Sequence, residues 1–203
     1  MRADRYYDVT LAIFVALFLV SNIAATKLIN VGTLIFDGGA LLFPLTYILG
    51  DVLSEVYGFK KASRAIFVSF FIGALASVSF WIIDVLPVAP SYEYGESFHA
   101  ILGFLPRIVA ASLAAYLVGQ LINAFVLTKV KQFTHEKHLW FRLLSSTLIG
   151  ELADTLIFCT IAFYGIITGS EFLNYLLTGY VYKCAIEILL LPVTYRVIRV
   201  YEK

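Results

Sequence analysis

Five carboxylates and three cations fall inside or at the ends of otherwise apolar stretches: Asp51, Glu55, Glu151, Asp154 and Glu187, with Lys27, Arg107 and Lys183. A charge at the centre of a bilayer costs about 2.5–3.5 kcal/mol on insertion scales, so such groups pair with one another or face a polar cavity. Asp51 and Glu55 are four residues apart, Glu151 and Asp154 three, and Lys183 and Glu187 four. Each pair therefore shares one helix face, and those faces are expected to point inward. Counted from the span ends, Asp51, Glu151, Asp154 and Lys183 lie nearest the middle of the membrane, where transporters bind solutes. Glu55 and Glu187 lie closer to one surface. The alternative for any one of these residues is an ion pair that only ties helices together.

Uncharged groups add to this set. Asn22, Gln120 and Asn123 bring hydrogen-bonding capacity, either to a solute or between helices. Phe43, Tyr47, Tyr57, Tyr116 and Phe158 share spans with the charged residues and offer ring faces on which a planar ligand gains about 1–3 kcal/mol per stacked base. Tyr6, Tyr7, Trp81, Trp140 and Tyr201 near span ends read instead as interfacial belt residues. Small residues recur every fourth position at Ala111, Ala115 and Gly119 and again at Gly165 and Gly169, the spacing of close helix packing.

Enzymatic apparatus is not visible. His135-Glu136-Lys137-His138 is the nearest approach to a metal-binding string, and it sits in a basic loop. The chain has no Gly-x-Ser-x-Gly elbow, no phosphate-binding glycine-rich loop and no His-Glu-x-x-His. It therefore cannot hydrolyse ATP by itself, and any transport it performs is facilitated, ion-coupled or driven by a partner. No cofactor is called for. Cys159 and Cys184 both fall in apolar segments and read as buried thiols.

The elements that must position these groups follow from composition. Of 203 residues, 61% are hydrophobic and 14% charged, against roughly 45–50% and 25% in soluble domains. The apolar spans are Val9–Ile29, Ala40–Tyr57, Ala65–Leu86, Pro106–Thr128, Phe141–Thr168 and Phe172–Val197, each close to the ~20 residues that cross ~30 Å of hydrocarbon. An all-α membrane protein follows: a six-transmembrane-helix bundle forming a single integral membrane domain over residues 1–203. The N-terminal stretch lacks a small-residue cleavage site and reads as a retained first helix. Between the first two spans, β-prone residues followed by Asp37-Gly38-Gly39 predict a small hairpin, a re-entrant turn or a plain loop. Asp84–Gly103, with Pro87 and Pro90, reads as an external loop.

Basic residues test this map independently. Twelve of the fifteen fall at the start, after span two, between spans four and five, or at the end. Under the positive-inside rule those regions are cytoplasmic, which requires an even number of spans with both termini inside. The net charge of +1 offers no concentrated basic face for a nucleic acid. The partners expected are a lipid bilayer and a small molecule, with an oligomeric or energy-coupling partner left open.

Phe43-Pro-Leu-Thr-Tyr-Ile-Leu-Gly-Asp-Val-Leu-Ser-Glu-Val-Tyr-Gly58, followed by Lys60, Lys61 and Arg64, resembles the signature of the queuosine precursor transporter family. The resemblance extends to Ser21-Asn22 and Lys27, to Asp37-Gly38-Gly39, and to Arg107 with Ala111-Ser112. It continues through Gly150 with Asp154-Thr155-Leu156-Ile157-Phe158, and Tyr182-Lys183 with Glu187 and Pro192. It implies a six-helix inner-membrane protein, similar to the substrate-binding components of energy-coupling-factor vitamin transporters. The implied activity is import of cyano- or aminomethyl-deazaguanine, purine-like bases salvaged for tRNA modification. The site residues expected on all these grounds are Asn22, Lys27, Tyr47, Asp51, Glu55, Arg107, Glu151, Asp154, Phe158, Lys183 and Glu187. Two other classes stay open: a transporter or binding component for another vitamin-like solute, and an intramembrane enzyme.

Overall fold

The computed structural model describes residues 2–133 and 139–202. The string His135–His138 lies outside them. In chain order the elements are α1 (Arg2–Ala24), β1 (Leu28–Val31), β2 (Leu34–Asp37), a 3-10 turn (Gly38–Leu41), α2 (Phe43–Asp84), α3 (Gly95–Leu102), α4 (Leu105–Phe133), α5 (Leu139–Phe163) and α6 (Gly169–Glu202). Among the described residues five helices are long and apolar enough to cross a membrane, rather than the six expected.

The difference lies in α2, whose 42 residues contain one non-helical position, Gly58 (φ 78°, ψ 169°). Contacts with α1 show what that position does. Tyr7 meets Tyr57 edge-on at 5.2 Å and donates its hydroxyl to Lys61 O at 3.0 Å. Farther along α1, Phe14 lies beside Gly50, and Phe18 packs on Phe70 at 4.8 Å. Gly50 and Phe70 would stand about 30 Å apart on a straight helix, while Phe14 and Phe18 are about 6 Å apart on theirs. The chain therefore doubles back at Gly58, and the arms before and after it are the second and third expected spans. Only glycine populates that backbone region without strain, so the reversal has a local cause.

The chain divides into two compact units. The first comprises Met1–Ile29, Phe36–Val109 and Ile186–Lys203. Its core holds Tyr7, Leu53, Ala62 and Ala65, with Leu11, Phe14 and Tyr57 packed against them. Tyr7 is 6% exposed and belongs to this core, while Tyr6 and Trp81 are exposed as belt residues should be. The Lys61 ammonium lies over the rings of both Tyr7 and Tyr57, at 5.1 and 5.6 Å, which braces the reversal from two sides. The expected external loop is partly helical. Within it, α3 is held to the end of α2 by Phe98 on Phe80 at 6.4 Å and by His99 Nδ1 and Asp84 Oδ2 at 2.6 Å.

The second unit comprises Asn30–Ile35 and Ala110–Ala185. Ala111, Ala115 and Gly119 are buried on α4, as their spacing predicted. A side chain on Gly119 would meet Asp154 Cβ at 3.0 Å, and one on Gly150 would meet Asn123 Cβ at 2.9 Å. These two glycines let α4 and α5 approach almost backbone to backbone. Gly165 and Gly169 are different. Both have positive φ, 87° and 61°, and both face open space, so they form the turn between α5 and α6 rather than a packing stripe.

The segment after α1 is a hairpin, with Gly32 (φ 64°) and Thr33 as its two-residue turn. Asp37-Gly38-Gly39 is not that turn. A side chain on Gly38 would overlap the Ala24 carbonyl, and one on Gly39 would lie 2.9 Å from Ser21 O, so the pair permits contact with the end of α1. At the hairpin tip, Asn174 of α6 accepts from Ile35 N at 3.0 Å and donates to Thr33 O at 2.7 Å. Thr178, one turn on, donates to Asn174 Oδ1 at 3.2 Å and orients the amide. One side chain thus pairs with the strand edge as a third strand would. Asn174→Ala is expected to cost about 1–3 kcal/mol and to speed hydrogen exchange at the Ile35 amide. Unchanged exchange there would show that the clasp does not hold the tip.

Candidate functional site

Three charged residues of the second unit form one cluster. Asp154 of α5 accepts directly from Lys183 Nζ of α6. Glu151, one turn earlier on α5, places Oε2 at 3.9 Å from the same ammonium. Side-chain exposures are 18% for Lys183, 17% for Glu151 and 23% for Asp154, so the three are mostly enclosed yet reachable. Their positions follow from helix geometry. The three-residue spacing puts both carboxylates on one face of α5, and small residues bring the neighbouring helices close to that face. Gly119 of α4 backs onto Asp154, and Gly179 of α6 lies one turn before Lys183 with Thr155 Cγ2 at 3.7 Å from where its side chain would start. Tyr180 donates to Leu148 O at 3.2 Å, a further tie between α6 and α5.

Phe158 follows Asp154 by one turn and is half-buried. It meets Phe163 edge-on at 6.2 Å, and Phe163 in turn packs on Tyr175 at 4.9 Å. Cys159 is buried and Cys184 half-buried. Four of the eleven expected site residues, Glu151, Asp154, Phe158 and Lys183, therefore belong to the second unit, and the charged three are in contact.

The other seven belong to the first unit. Asn22 is buried, and its amide donates to Phe18 O one turn back at 2.8 Å, a bond within its own helix. Lys27 is exposed in the turn after α1, at the edge of an open pocket of about 470 Å³ that Ile23, Ala24 and Leu41 also line. Tyr47 is half-buried with its ring 4.1 Å from that of Phe43. Arg107 is half-buried, its guanidinium 5.9 Å from the Phe104 ring, and Glu187 is half-buried on α6. Asp51 and Glu55 share a face as predicted, but that face is exposed rather than inward. The reason is local: Val52 and Leu53 between them are the buried residues of this arm, and Leu53 packs in the core with Tyr7 of α1.

Asn174 and Thr178 were not among the expected residues. Their signal was present, as two polar residues one turn apart in an apolar helix, but nothing local indicates that their partner lies some 140 residues earlier.

Fold and site together define a polytopic membrane protein with a mixed-charge cluster inside its spanning helices. The chain belongs to the family described as "Putative vitamin uptake transporter", whose model matches residues 37–197. That membership places it among transporters rather than enzymes. It is 29% identical to the "Probable queuosine precursor transporter" of Bacillus subtilis over 86% of this chain and 77% of that protein. It is 35% identical to the protein of the same name from Haemophilus influenzae, and 32% identical to the "Queuosine precursor transporter" of Escherichia coli. Each of these last two matches covers 62% of this chain, and the chain spans only about half of each relative's length, 51% and 54%. No solved structure matches the chain.

Proposed function

We propose that the chain imports queuosine-precursor bases, cyano- or aminomethyl-deazaguanine, across the inner membrane for salvage into tRNA. The observation that carries this reading is the contact of Glu151, Asp154 and Lys183 within spanning helices of a member of a transporter family. Intramembrane charges of both signs in a partly accessible cluster suit a polar solute. A base of this class presents adjacent N–H donors, which a carboxylate accepts in pairs, and a flat bicycle that the Phe158 ring can face. The names of the relatives support the same substrate class. The whole chain acts in this reading as one membrane domain.

Uptake of labelled deazaguanine bases by cells unable to synthesise them, with queuosine in tRNA as readout, tests the proposal. Expression of the chain is expected to restore queuosine when such a base is supplied externally. Failure with every such base, at normal membrane abundance, would leave another vitamin-like solute as the cargo.

The orientation proposed places both termini and the basic segment 129–142 in the cytoplasm, with Asp84–Gly103 and Gly169–Glu171 outside. The distribution of Lys and Arg supports it, and the reversal at Gly58 supplies the even number of passes it needs. In intact cells, a cysteine introduced at Tyr92 is expected to react with an impermeant thiol reagent, and one at Lys131 is not. Labelling at Lys131 would invert the orientation.

A further inference from the structure

Two features of the second unit weaken the fold, and contacts within the protein do not account for them. Thr155 of α5 is 2% exposed, and among the described residues its buried hydroxyl has no hydrogen-bond partner. A hydroxyl left unpaired away from water is unfavourable, and a valine of the same shape would avoid that cost. Gly179 lies inside α6, where glycine is a poor helix former. Close packing does not demand it. Side chains on Gly119 and Gly150 would stand 3.0 and 2.9 Å from a neighbouring helix, but one on Gly179 would meet only Thr155 Cγ2 outside α6, at an ordinary 3.7 Å. Alanine would fit there, so the approach of the two helices does not explain the glycine.

These features face each other beside the charged cluster. Gly179 precedes Lys183 by one turn on α6, and Lys183 is paired with both Asp154 and Glu151. On α5, Glu151, Thr155 and Phe158 follow at spacings of four and three, which puts them along one face. Thr155 thus lies between the paired carboxylate on one side and the half-buried Phe158 on the other. The helix rises about 10 Å from Glu151 to Phe158, enough for a flat bicyclic base to lie along it.

Within the transport reading above, on which this rests, we infer that Thr155 is a solute-binding residue: the base lies against Gly179, and the Thr155 hydroxyl hydrogen-bonds its polar edge. A hydroxyl both donates and accepts, so it serves a carbonyl oxygen or a ring N–H of the base. Glu151, Asp154 and Lys183 stay paired with one another and form the charged end of the same face. Binding supplies the hydrogen bond that the protein does not, so a residue that costs stability is kept for function.

Two measurements on the purified full chain test this: affinity for cyano-deazaguanine, and the melting temperature without it. Thr155→Val is expected to melt at or above the parent, because it removes an unpaired hydroxyl. It should nevertheless bind the base roughly 5- to 150-fold more weakly, the range for one hydrogen bond lost in a dry site. Thr155→Ser keeps the hydroxyl and should bind like the parent. Gly179→Ala is also expected to melt at or above the parent, and to lose affinity over a similar range because its methyl group enters the space of the base. Parent-like affinity in Thr155→Val or in Gly179→Ala, a melting temperature of Thr155→Val well below that of the parent, or binding lost in Thr155→Ser overturns the assignment and leaves the transport reading in place. A parent protein that binds neither cyano- nor aminomethyl-deazaguanine overturns both.

Discussion

Lys183→Met is expected to be the most damaging single substitution in the chain. It keeps the apolar stem and approximate length of the side chain but removes the ammonium, leaving Asp154 and Glu151 as like charges one turn apart on α5 with their shared cation gone. Removing one partner of a buried ion pair costs about 3–5 kcal/mol, because the remaining charge stays where water reaches it poorly. That is a large fraction of the roughly 5–15 kcal/mol by which a folded domain is stable. The variant is expected to lose most of its folded yield in detergent and all uptake. Adding Asp154→Asn removes the stranded charge, so the double variant should recover folded yield relative to Lys183→Met alone, with a coupling of about 0.5–3 kcal/mol. A Lys183→Met protein that melts with the parent would mean the pair holds nothing together, and the cluster would then be purely a binding feature.

Gly58→Ala is the second large effect, and it arises from the backbone alone. A side chain at Gly58 meets nothing within 4 Å, so crowding is not the issue. The position sits at φ 78° and ψ 169°, a region essentially confined to glycine, where a Cβ costs of order 1–3 kcal/mol. The consequence goes beyond that figure because the two arms of α2 have a competing conformation. With a helix former at the reversal, residues 43–84 can run on as one helix about 63 Å long, twice the hydrocarbon thickness, and the paired contacts of both arms with α1 would be lost. A marked fall in melting temperature is expected. Gly50→Ala, inside a regular helix with Phe14 at ordinary van der Waals distance, is the matched control and should be close to neutral. Equal behaviour of the two variants would mean that the reversal does not depend on glycine at 58.

Much of this molecule is legible in local pattern. Membrane insertion follows from runs of apolar residues, and the inventory of costly charges follows from where those runs are interrupted. The shared faces of Glu151 with Asp154 and of Asp51 with Glu55 follow from the helical period, and the small-residue contact at Gly119 from its spacing. These are properties of segments no longer than a single helix, and the chain states them directly.

Other features depend on which segments meet. Gly58 looks like any glycine at a span end until α1 is seen to touch both arms, which alone shows that the chain turns back there. Tyr7 has the composition and place of a belt residue, yet its ring is buried because Tyr57 and Lys61 close over it. Asp51 with Glu55 and Glu151 with Asp154 present the same spacing, but one pair is exposed and the other engages a lysine on α6. Helical periodicity assigns residues to a common face and says nothing about what that face opposes. Asn174 and the edge of the hairpin are separated by 139–141 residues, and only tertiary packing could join them, because each hydrogen bond is made between groups whose local sequence carries no trace of the other.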